Sequence, residues 1–231
     1  MSQSIILLPG LLCDHRLWAG QLPALEVRGD VLVPDLGRAD TIGGLAEQVL
    51  ARASDRFALA GLSMGGYVAF EILRRAPGRV ARLALLDTQA RADTEEGKTR
   101  RRGLMALAEK GEFKGVTPRL LPLFLGREAL KDPGITGTVQ AMAESTGKDA
   151  FLRQQTAIMG RADSRADLPR ITCPTLILAG RDDQITPPEL QLEMAAAIPD
   201  ATLVLLPRCG HLSPLERPDA VTRQLLAWLD G

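Results

Sequence analysis

The chain has 231 residues, of which 45% are hydrophobic and only 3% aromatic, so it is long enough to bury one large aliphatic core. Its 28 Lys and Arg residues balance 28 Asp and Glu residues, which argues against a global field that attracts nucleic acid or an anionic membrane. We therefore expect one core domain, no nucleic-acid or membrane partner, and a small neutral substrate.

The sequence carries no recognisable targeting or membrane-spanning segment. The apolar run 5–12 has no Lys or Arg before it and is too short for a secretory signal, and no other stretch approaches transmembrane length. The three cysteines form no C-x-x-C pair and are expected to be small buried apolar residues in a reducing compartment: Cys13, Cys173 and Cys209. We expect a soluble, cytoplasmic protein, and no metal or organic cofactor is implied.

Short apolar runs alternate with helical patterns along most of the chain. Near-continuous apolarity without alternation is typical of parallel strands covered on both faces, and it predicts six strands at 4–8, 30–34, 56–60, 82–86, 175–179 and 202–206. Helices are predicted between and after them at 14–25, 41–53, 64–76, 188–197 and 218–230. The pattern predicts an α/β fold of right-handed βαβ units around a mostly parallel sheet.

The stretch from 89 to 168 breaks this alternation, since it has no strand signal and its segments 101–110, 118–125, 137–145 and 150–159 have helical patterns. A structureless loop of that length is improbable in a compact domain. We expect a helical cap at 89–168 inserted into a core formed by 1–88 and 169–231. Its apolar residues would either pack on the core or line an acyl pocket, the pocket candidates being Leu120, Leu121 and Phe124.

A G-x-S-x-G motif lies between the third predicted strand and the helix after it, in Gly61-Leu62-Ser63-Met64-Gly65. At such a strand-to-helix turn the central serine has strained backbone angles, and flanking glycines avoid collisions with neighbouring backbone. The motif in this context predicts an exposed nucleophilic Ser63 hydroxyl and hydrolase chemistry.

A serine hydroxyl needs an adjacent base to act as a nucleophile at neutral pH. The chain has two histidines. His211 follows the last predicted strand, where a loop at the carboxyl edge of the sheet reaches the nucleophile, and it follows Ser63 in the order typical of hydrolases. His15 lies in the first turn of a predicted helix, so we expect His211 to be the base.

Three aspartates are candidates for the acid that orients this base. Asp183 lies on the loop directly after the fifth predicted strand and is our choice, with its neighbour Asp182 expected to stabilise the loop. Asp87 ends the fourth predicted strand, where some hydrolases place the acid. Its alternative role is an Asx-turn leading into the insertion.

Acyl transfer also needs hydrogen-bond donors aimed at the developing oxyanion. The backbone N–H of Met64 is one candidate, because it lies at the start of a helix. The other is Leu11, in the loop after the first strand, where Gly10 allows close approach of the backbone to a substrate. The alternative is that the segment around Leu11 is an ordinary strand-to-helix turn with no role in binding an oxyanion.

Three segments in this order resemble the nucleophile, acid and base segments of the α/β-hydrolase superfamily: residues 61–66, residues 180–183 with Pro187, and Gly210-His211 followed by residues 214–218. The resemblance covers almost the whole chain, and within the superfamily the chain resembles small lidded esterases, which include pimeloyl-carrier-protein methyl esterases and related carboxylesterases. It implies roles for five residues, with Ser63 as nucleophile, His211 as base, Asp183 as acid, and Leu11 and Met64 as oxyanion donors.

The chain departs from the superfamily pattern in two ways. Pro9-Gly10 replaces the His-Gly of many relatives, although the donor follows the glycine, so the oxyanion hole can survive. The chain also begins at what would be the third strand of the usual eight, so we expect the sheet to lack the N-terminal hairpin and to have six strands. Serine at position 63 argues against the dehalogenase and epoxide hydrolase branches, which use a carboxylate nucleophile.

These features predict a serine esterase acting on small to medium carboxylic esters. A thioesterase, a carbon-carbon bond hydrolase or a perhydrolase would use the same triad, and a ligand-binding receptor would keep the fold without turnover. A basic run at the start of the insertion either docks an acidic acyl carrier or the phosphates of an acyl-CoA, or is a solvated helix face: Lys98, Arg100, Arg101 and Arg102.

Overall fold

The computed structural model describes residues 3–231, in which six strands form one parallel sheet. The strands are β1 Gln3–Leu8, β2 Gly29–Leu32, β3 Phe57–Leu62, β4 Val80–Leu86, β5 Thr175–Gly180 and β6 Ala201–Leu206. Their order across the sheet is β2-β1-β3-β4-β5-β6, and every pairing is parallel. The six predicted strands are confirmed, with bounds that differ by no more than two residues.

The α-helices are α1 Leu22–Glu26, α2 Ile42–Leu50, α3 Met64–Arg75, α4 Glu95–Leu107, α5 Leu121–Phe124, α6 Pro133–Met159, α7 Pro188–Ala197, α8 Ser213–Glu216 and α9 Pro218–Asp230. Helix α9 buries residues at the spacing of one helical face: Val221, Leu225, Trp228 and Leu229. No helix in residues 3–231 is both long and apolar enough to cross a membrane.

Helices cover both faces of the sheet, as the apolarity of the strands predicts. Successive residues of β1 point to opposite faces, so that Ile5 and Ile6 belong to two different apolar clusters. One cluster joins β1 to buried residues of α1 and α9, and the other joins it to α2, α3 and α7. This α/β arrangement brings the carboxyl ends of all six strands to one edge of the sheet.

The prediction of one continuous helix at 14–25 is wrong. The chain forms a 3₁₀ turn at His15–Trp18 and then the separate helix α1. Pro23 explains the division, because proline has no N–H to donate within a helix but fits the first turn of a new one. Asp14 caps the 3₁₀ turn by accepting a hydrogen bond from the Arg16 amide at 2.9 Å.

Residues 89–168, called the helical segment below, contain α4, α5, α6 and shorter helical turns, and the structure describes no strand there. Within α6, Gly147 adopts the non-helical angles φ 75° and ψ 172°, which separate two helical stretches near the predicted helices 137–145 and 150–159. The segment leaves the sheet at the end of β4, so it begins at the carboxyl edge of the strands.

Candidate active site

Ser63 forms the turn between β3 and α3 and has backbone angles of φ 53° and ψ −113°. A positive φ is strained for a residue with a Cβ, so the surroundings must hold it in place. The Ser63 amide donates to the Leu86 carbonyl at 3.0 Å, and the Thr88 hydroxyl donates to the Ser63 carbonyl at 2.8 Å. The end of β4 and the residues after it therefore fix the turn.

The glycines on either side of Ser63 are required by close backbone contacts. A Cβ at Gly61 would lie 2.5 Å from the Gly65 carbonyl oxygen, and a Cβ at Gly65 would lie 2.2 Å from the Leu8 carbonyl oxygen. Any side chain at either position would push α3 away from the sheet. The packing thus accounts for the glycines of the motif.

Asp183 and His211 form a buried hydrogen-bonded pair on the loops after β5 and β6. His211 Nδ1 lies 2.8 Å from Asp183 Oδ2, and the two side chains are 3% and 0% exposed. The other carboxylate oxygen, Oδ1, accepts from the amides of Ile185 and Thr186 at 2.8 and 3.0 Å, and the Thr186 hydroxyl donates to Oδ2 at 2.7 Å. These four hydrogen bonds fix the orientation of the carboxylate toward the imidazole.

The pair shifts the pKa of both members. Burial raises the pKa of Asp183, but the charge of His211 and the hydrogen bonds from His211 and Thr186 lower it by more, so the net pKa is below the usual range. Burial lowers the pKa of His211, while the charge and hydrogen bond of Asp183 raise it above its usual value of 6.5. The ionised acid therefore stabilises a protonated imidazole.

No hydrogen bond joins Ser63 to His211 among the described residues. Hydrogen bonds between a nucleophile and its base are often long before substrate binds, so the absence of this bond is compatible with catalysis by Ser63 and His211. Their strands are close in the sheet, where β3 pairs with β4, β4 with β5 and β5 with β6. The loops after these strands lie at one edge, which is where Ser63, Asp183 and His211 are located.

The competing candidates from the sequence lie in other environments. The side chain of His15 is 71% exposed, and its nearest acidic group is Asp14 at 3.9 Å. Asp182 is exposed and contributes its backbone amide to the Cys209 carbonyl at 2.8 Å. Among the three aspartates, the structure brings Asp183 into hydrogen-bond distance of His211.

Asp87 is fully buried beside the pair of Asp183 and His211, and it does not form an Asx-turn into the helical segment. Its Oδ1 accepts from the Gly180 amide at 2.9 Å, and its Oδ2 is hydrogen-bonded to the Ser213 hydroxyl. Burial and the charge of Asp183 raise the pKa of Asp87 well above its usual range. Asp87 thus links the end of β5 to the residue two places after His211.

Glu216 is a functional candidate that the sequence interpretation missed. This buried carboxylate accepts from the amides of Gly126, Gly210 and Leu212 at 2.8, 3.0 and 3.2 Å, and the His211 amide donates to the Phe124 carbonyl at 2.9 Å. Burial raises the pKa of Glu216 above its usual value, although the three backbone hydrogen bonds partly oppose this. Three successive amides around the histidine are therefore fixed, two by Glu216 and one by the helical segment.

Gln191 joins the acid loop to the serine turn and was also missed. Its side-chain amide is fully buried and donates to the Thr88 carbonyl at 2.7 Å and the Thr186 carbonyl at 3.1 Å. Thr88 in turn holds the Ser63 carbonyl, and Thr186 holds Asp183. A polar residue at this position of α7 gave no signal in the sequence beyond its place on a predicted helix.

Two backbone N–H groups beside Ser63 are free to donate. A Cβ at Gly10 would lie 3.4 Å from the Ser63 Cβ, so the loop after β1 packs against the serine. In this loop the Leu12 amide donates to Gln154 Oε1 at 3.1 Å, whereas the Leu11 amide has no acceptor within residues 3–231. Met64 is the first residue of α3, where N–H groups lack intrahelical acceptors.

The three pocket candidates from the sequence lie in two environments. Leu121 is 6% exposed and belongs to the core, while Leu120 and Phe124 are half-buried. The Phe124 ring centroid is 6.5 Å from that of His211. A cavity of about 520 Å³ lies between the loops after β1 and β2 and residues 145–154 of α6, and none of these three residues lines it.

The basic run of α4 is partly engaged within the chain. Arg101 donates to Asp93 at 2.8 Å and to Gln155 at 2.7 Å, and Lys98 donates to Glu95 at 2.8 Å. Of the three cysteines, Cys209 is fully buried and the other two are partly buried. Within the described residues, no three His, Cys, Asp or Glu side chains converge as a metal site.

Comparison with known proteins gives consistent matches over the whole chain. A family model described as "Alpha/beta hydrolase family" matches residues 5–224. The structure of an esterase from Thermogutta terrifontis, solved with malate bound, superposes with a TM-score of 0.91 and 31% identity, covering 100% of this chain and 90% of the other. An enol-lactonase from Burkholderia xenovorans LB400 gives a TM-score of 0.89 and 27% identity, covering 100% and 92%.

A curated relative is similar in sequence over nearly its full length. It is the pimeloyl-[acyl-carrier protein] methyl ester esterase of Nitrosomonas europaea, which is 27% identical over 93% of this chain and 91% of its own. The segments for the nucleophile, acid and base all lie within residues 5–224, which the family model matches.

Proposed function

The chain belongs to the alpha/beta hydrolase family, and from this premise we propose that it cleaves small to medium carboxylic esters through an acyl-enzyme intermediate. The membership confirms the resemblance drawn from the sequence and makes the chain a hydrolase. The observation that carries the ester proposal is the buried 2.8 Å pair of His211 and Asp183 at the sheet edge that holds the strained Ser63.

In the proposed reaction, Ser63 Oγ attacks the ester carbonyl carbon while His211 Nε2 removes the hydroxyl proton. The tetrahedral intermediate collapses, the bond to the alcohol oxygen breaks, and His211 returns the proton to the departing alcohol. Water then attacks the acyl-enzyme with His211 again as base, which releases the acid and restores Ser63. Asp183 fixes the imidazole tautomer and stabilises its protonated form.

The developing oxyanion would be held by the Leu11 and Met64 amides. Leu11 has no acceptor within the described chain, and Met64 adds the positive end of the α3 dipole. The Leu12 amide is not a third donor, since Gln154 already accepts from it. Removing one such donor typically costs about 10²–10³ in kcat.

The helical segment would act as the cap over this site. Two of its contacts support this, because Phe124 accepts from the His211 amide and Gln154 accepts from the Leu12 amide. The segment thus touches the loops that carry both the base and a proposed oxyanion donor. Its shape would set which acyl groups fit.

Ester cleavage is preferred over other reactions of the same triad because the relatives described above are named as esterases or as a lactonase, and a lactone is a cyclic ester. The test is a panel of chromogenic esters and acyl thioesters of graded chain length, with Ser63→Ala and the exposed Ser54→Ala as a matched control. We expect turnover of esters by wild type and Ser54→Ala, and a loss of about 10⁴-fold or more in Ser63→Ala. Turnover of thioesters alone, or full activity of Ser63→Ala, would overturn the proposal.

A further inference from the structure

The loop after β1 makes a tight turn at residues 10–13, called the 10–13 turn below. The Cys13 amide donates to the Gly10 carbonyl at 3.2 Å, which closes the turn. The third residue, Leu12, has φ 59°, whereas Leu11 before it has a negative φ. A positive φ at the third position is typical of a type II turn, which favours glycine there. Leucine therefore occupies a strained position in the loop that supplies a proposed oxyanion donor.

The peptide bond between Leu11 and Leu12 is held at both ends. Its N–H belongs to Leu12 and donates to Gln154 Oε1 at 3.1 Å. Its carbonyl belongs to Leu11 and accepts from the Cys13 thiol at 3.5 Å. Burial and the charge of Asp14 raise the pKa of Cys13 to about 12, so the thiol keeps the proton that it donates. A thiol is a weak donor, and the contact with Gln154 is therefore the stronger of the two.

Gln154 comes from a distant part of the chain and is itself fixed in place. It is buried on α6, 142 positions after Leu12. Its Nε2 donates to the Leu36 carbonyl at 3.3 Å, so both ends of the side-chain amide are hydrogen-bonded. Because Leu12 offers a donor and Leu36 an acceptor, the amide satisfies both in one orientation only. A buried acceptor with a fixed direction therefore faces the Leu12 N–H.

The 10–13 turn lies against the proposed nucleophile. A Cβ at Gly10 would lie 3.4 Å from the Ser63 Cβ, so the backbone of the turn packs directly on the serine. The Leu11 amide, one residue further on, has no acceptor within the described chain and is the proposed oxyanion donor. The direction of this N–H depends on the backbone angles of the turn that contains it. The conformation of the turn therefore matters for catalysis as well as for folding.

The alternative conformation is a type I turn, which most residues adopt at the third position without strain. Types I and II differ by a rotation of the central peptide of roughly 150–170°, which would turn the Leu12 N–H away from Gln154. The same rotation changes the backbone angles of Leu11. The hydrogen bond to Gln154 is made in the observed conformation, so it opposes this rotation.

We propose that Gln154 is a positioning residue for the oxyanion hole, which acts through the Leu12 amide to keep the 10–13 turn in the conformation that presents Leu11. The inference rests on the proposed ester hydrolysis, in which the Leu11 amide holds the oxyanion. Gln154 acts through the turn and makes no contact with the reacting atoms. The helical segment thereby contributes to the chemical step as well as to substrate selection.

The first test is the kcat of Gln154→Met, which keeps the length of the side chain and removes the acceptor oxygen. Because the oxyanion forms in the transition state, kcat should fall by at least about tenfold with little change in KM, within the roughly 10²–10³ that loss of a whole donor costs. Gln154→Glu keeps an oxygen for the Leu12 amide in either protonation state, so it should retain most of the kcat. Equal losses in the two folded variants would overturn the proposal.

Gln155→Met is the matched control for damage to the fold. Gln155 is also buried on α6, but its Oε1 accepts from Arg101 on α4 rather than from the 10–13 turn. The variant removes a buried acceptor from the same helix, so Tm should fall while kcat stays near the wild-type value. A loss of kcat equal to that of Gln154→Met would make the effect a general result of damage to α6 and would contradict a specific role for Gln154.

Glycine at position 12 gives a second test, because glycine adopts a positive φ without strain. The cost of Gln154→Met is measured in the Leu12→Gly and Leu12→Ala backgrounds, which both lack the leucine side chain. With Leu12→Ala the strain remains and the loss of kcat should persist, whereas with Leu12→Gly the loss should be several-fold smaller. The same loss in both backgrounds would show that Gln154 does not act on the strained residue.

The rate of labelling by a fluorophosphonate separates this inference from ester hydrolysis. Ser63 Oγ attacks the phosphorus, fluoride leaves, and negative charge develops on the phosphoryl oxygen in the same hole, so no ester is needed. Labelling should be faster in wild type and Gln154→Glu than in Gln154→Met. If the rates follow this order but wild type cleaves no ester, only the proposed function fails. Equal rates in all three proteins would overturn the positioning role of Gln154 even if esters are cleaved.

Discussion

The Glu216 carboxylate accepts a hydrogen bond from the Gly126 amide at 2.8 Å and, through the same oxygen, one from the Gly210 amide at 3.0 Å. Gly126 belongs to the helical segment and Gly210 precedes His211, so one buried side chain joins the two. A Cβ at Gly210 would lie 2.6 Å from the Gly126 nitrogen, so the backbones could not approach in this way with a larger residue. The base loop is therefore built partly from the helical segment.

Glu216→Gln should destabilise the protein, because an amide has one acceptor oxygen where the carboxylate has two. At least one buried N–H then loses its partner, at a cost of about 1–3 kcal/mol. For a chain of this size we expect a fall in Tm of about 2–4 °C per kcal/mol. Differential scanning fluorimetry measures it, with the exposed Glu26→Gln as control, and equal Tm values for the two variants would contradict the assigned role.

Asp183→Asn should cost about 10⁴ in kcat, by analogy with the corresponding change in a serine protease, because the amide favours the wrong histidine tautomer. Asp182→Asn and Asp87→Asn should cost far less, since neither side chain is hydrogen-bonded to His211 within the described chain. Steady-state kinetics on one ester compares the three variants. Greater loss in Asp87→Asn than in Asp183→Asn would place the acid one strand earlier.

The pH dependence of kcat/KM should report the titration of His211. The imidazole must be neutral to act as base, and its pKa is raised above 6.5 because Asp183 outweighs the effect of burial. We expect kcat/KM to rise with pH through a midpoint above 6.5, and this midpoint to move down in the residual activity of Asp183→Asn. A wild-type midpoint below 6.5 would show that Asp183 does not govern the base.

Asp87 should make stability depend on pH. Its folded pKa lies well above the unfolded value of about 3.9, so its stabilising contribution is complete below that value and is lost as pH rises through the folded pKa. Asp87→Asn keeps an oxygen for the Gly180 amide and has an NH₂ for Ser213. The Tm of this variant should rise relative to that of wild type as pH increases above about 4, and a constant difference would contradict a raised pKa.

Leu121, the buried pocket candidate, and Phe124, a half-buried one, should respond differently to truncation. Leu121→Ala removes a core side chain and should lower Tm with little change in chain-length preference. Phe124→Ala removes a ring next to His211 and should change kcat/KM unequally across ester lengths, within about 10–200-fold per lost contact. An unchanged chain-length profile in Phe124→Ala would remove this residue from the acyl pocket.

Much of the core was predictable because its signals are local. Continuous apolar runs mark strands buried on both faces, and one helical face is visible in the spacing of Val221, Leu225 and Trp228. The glycines around Ser63 predict the strand-to-helix turn from the sequence alone, without knowledge of its contacts. Pro23 was the local signal that the interpretation of 14–25 as one helix overlooked.

The supporting residues of the site were not predictable, because their partners are distant in sequence. Glu216 and Gly126 are 90 positions apart, and Gln191 and Thr88 are 103 apart. No periodicity or spacing within a segment encodes such pairs. The order of the segments favoured Asp183 over Asp87 and Asp182 as partner of His211, and the structure adds the 2.8 Å hydrogen bond between Asp183 and His211.

The most direct test of Ser63 as the nucleophile is to locate the residue that a fluorophosphonate modifies and to measure ester turnover on the same preparation. We expect one adduct per chain, located at Ser63 by mass spectrometry, with loss of ester hydrolysis in proportion to labelling and no adduct in folded Ser63→Ala. Ester turnover that survives full labelling of Ser63, or equal labelling of Ser63→Ala, would contradict Ser63 as the nucleophile.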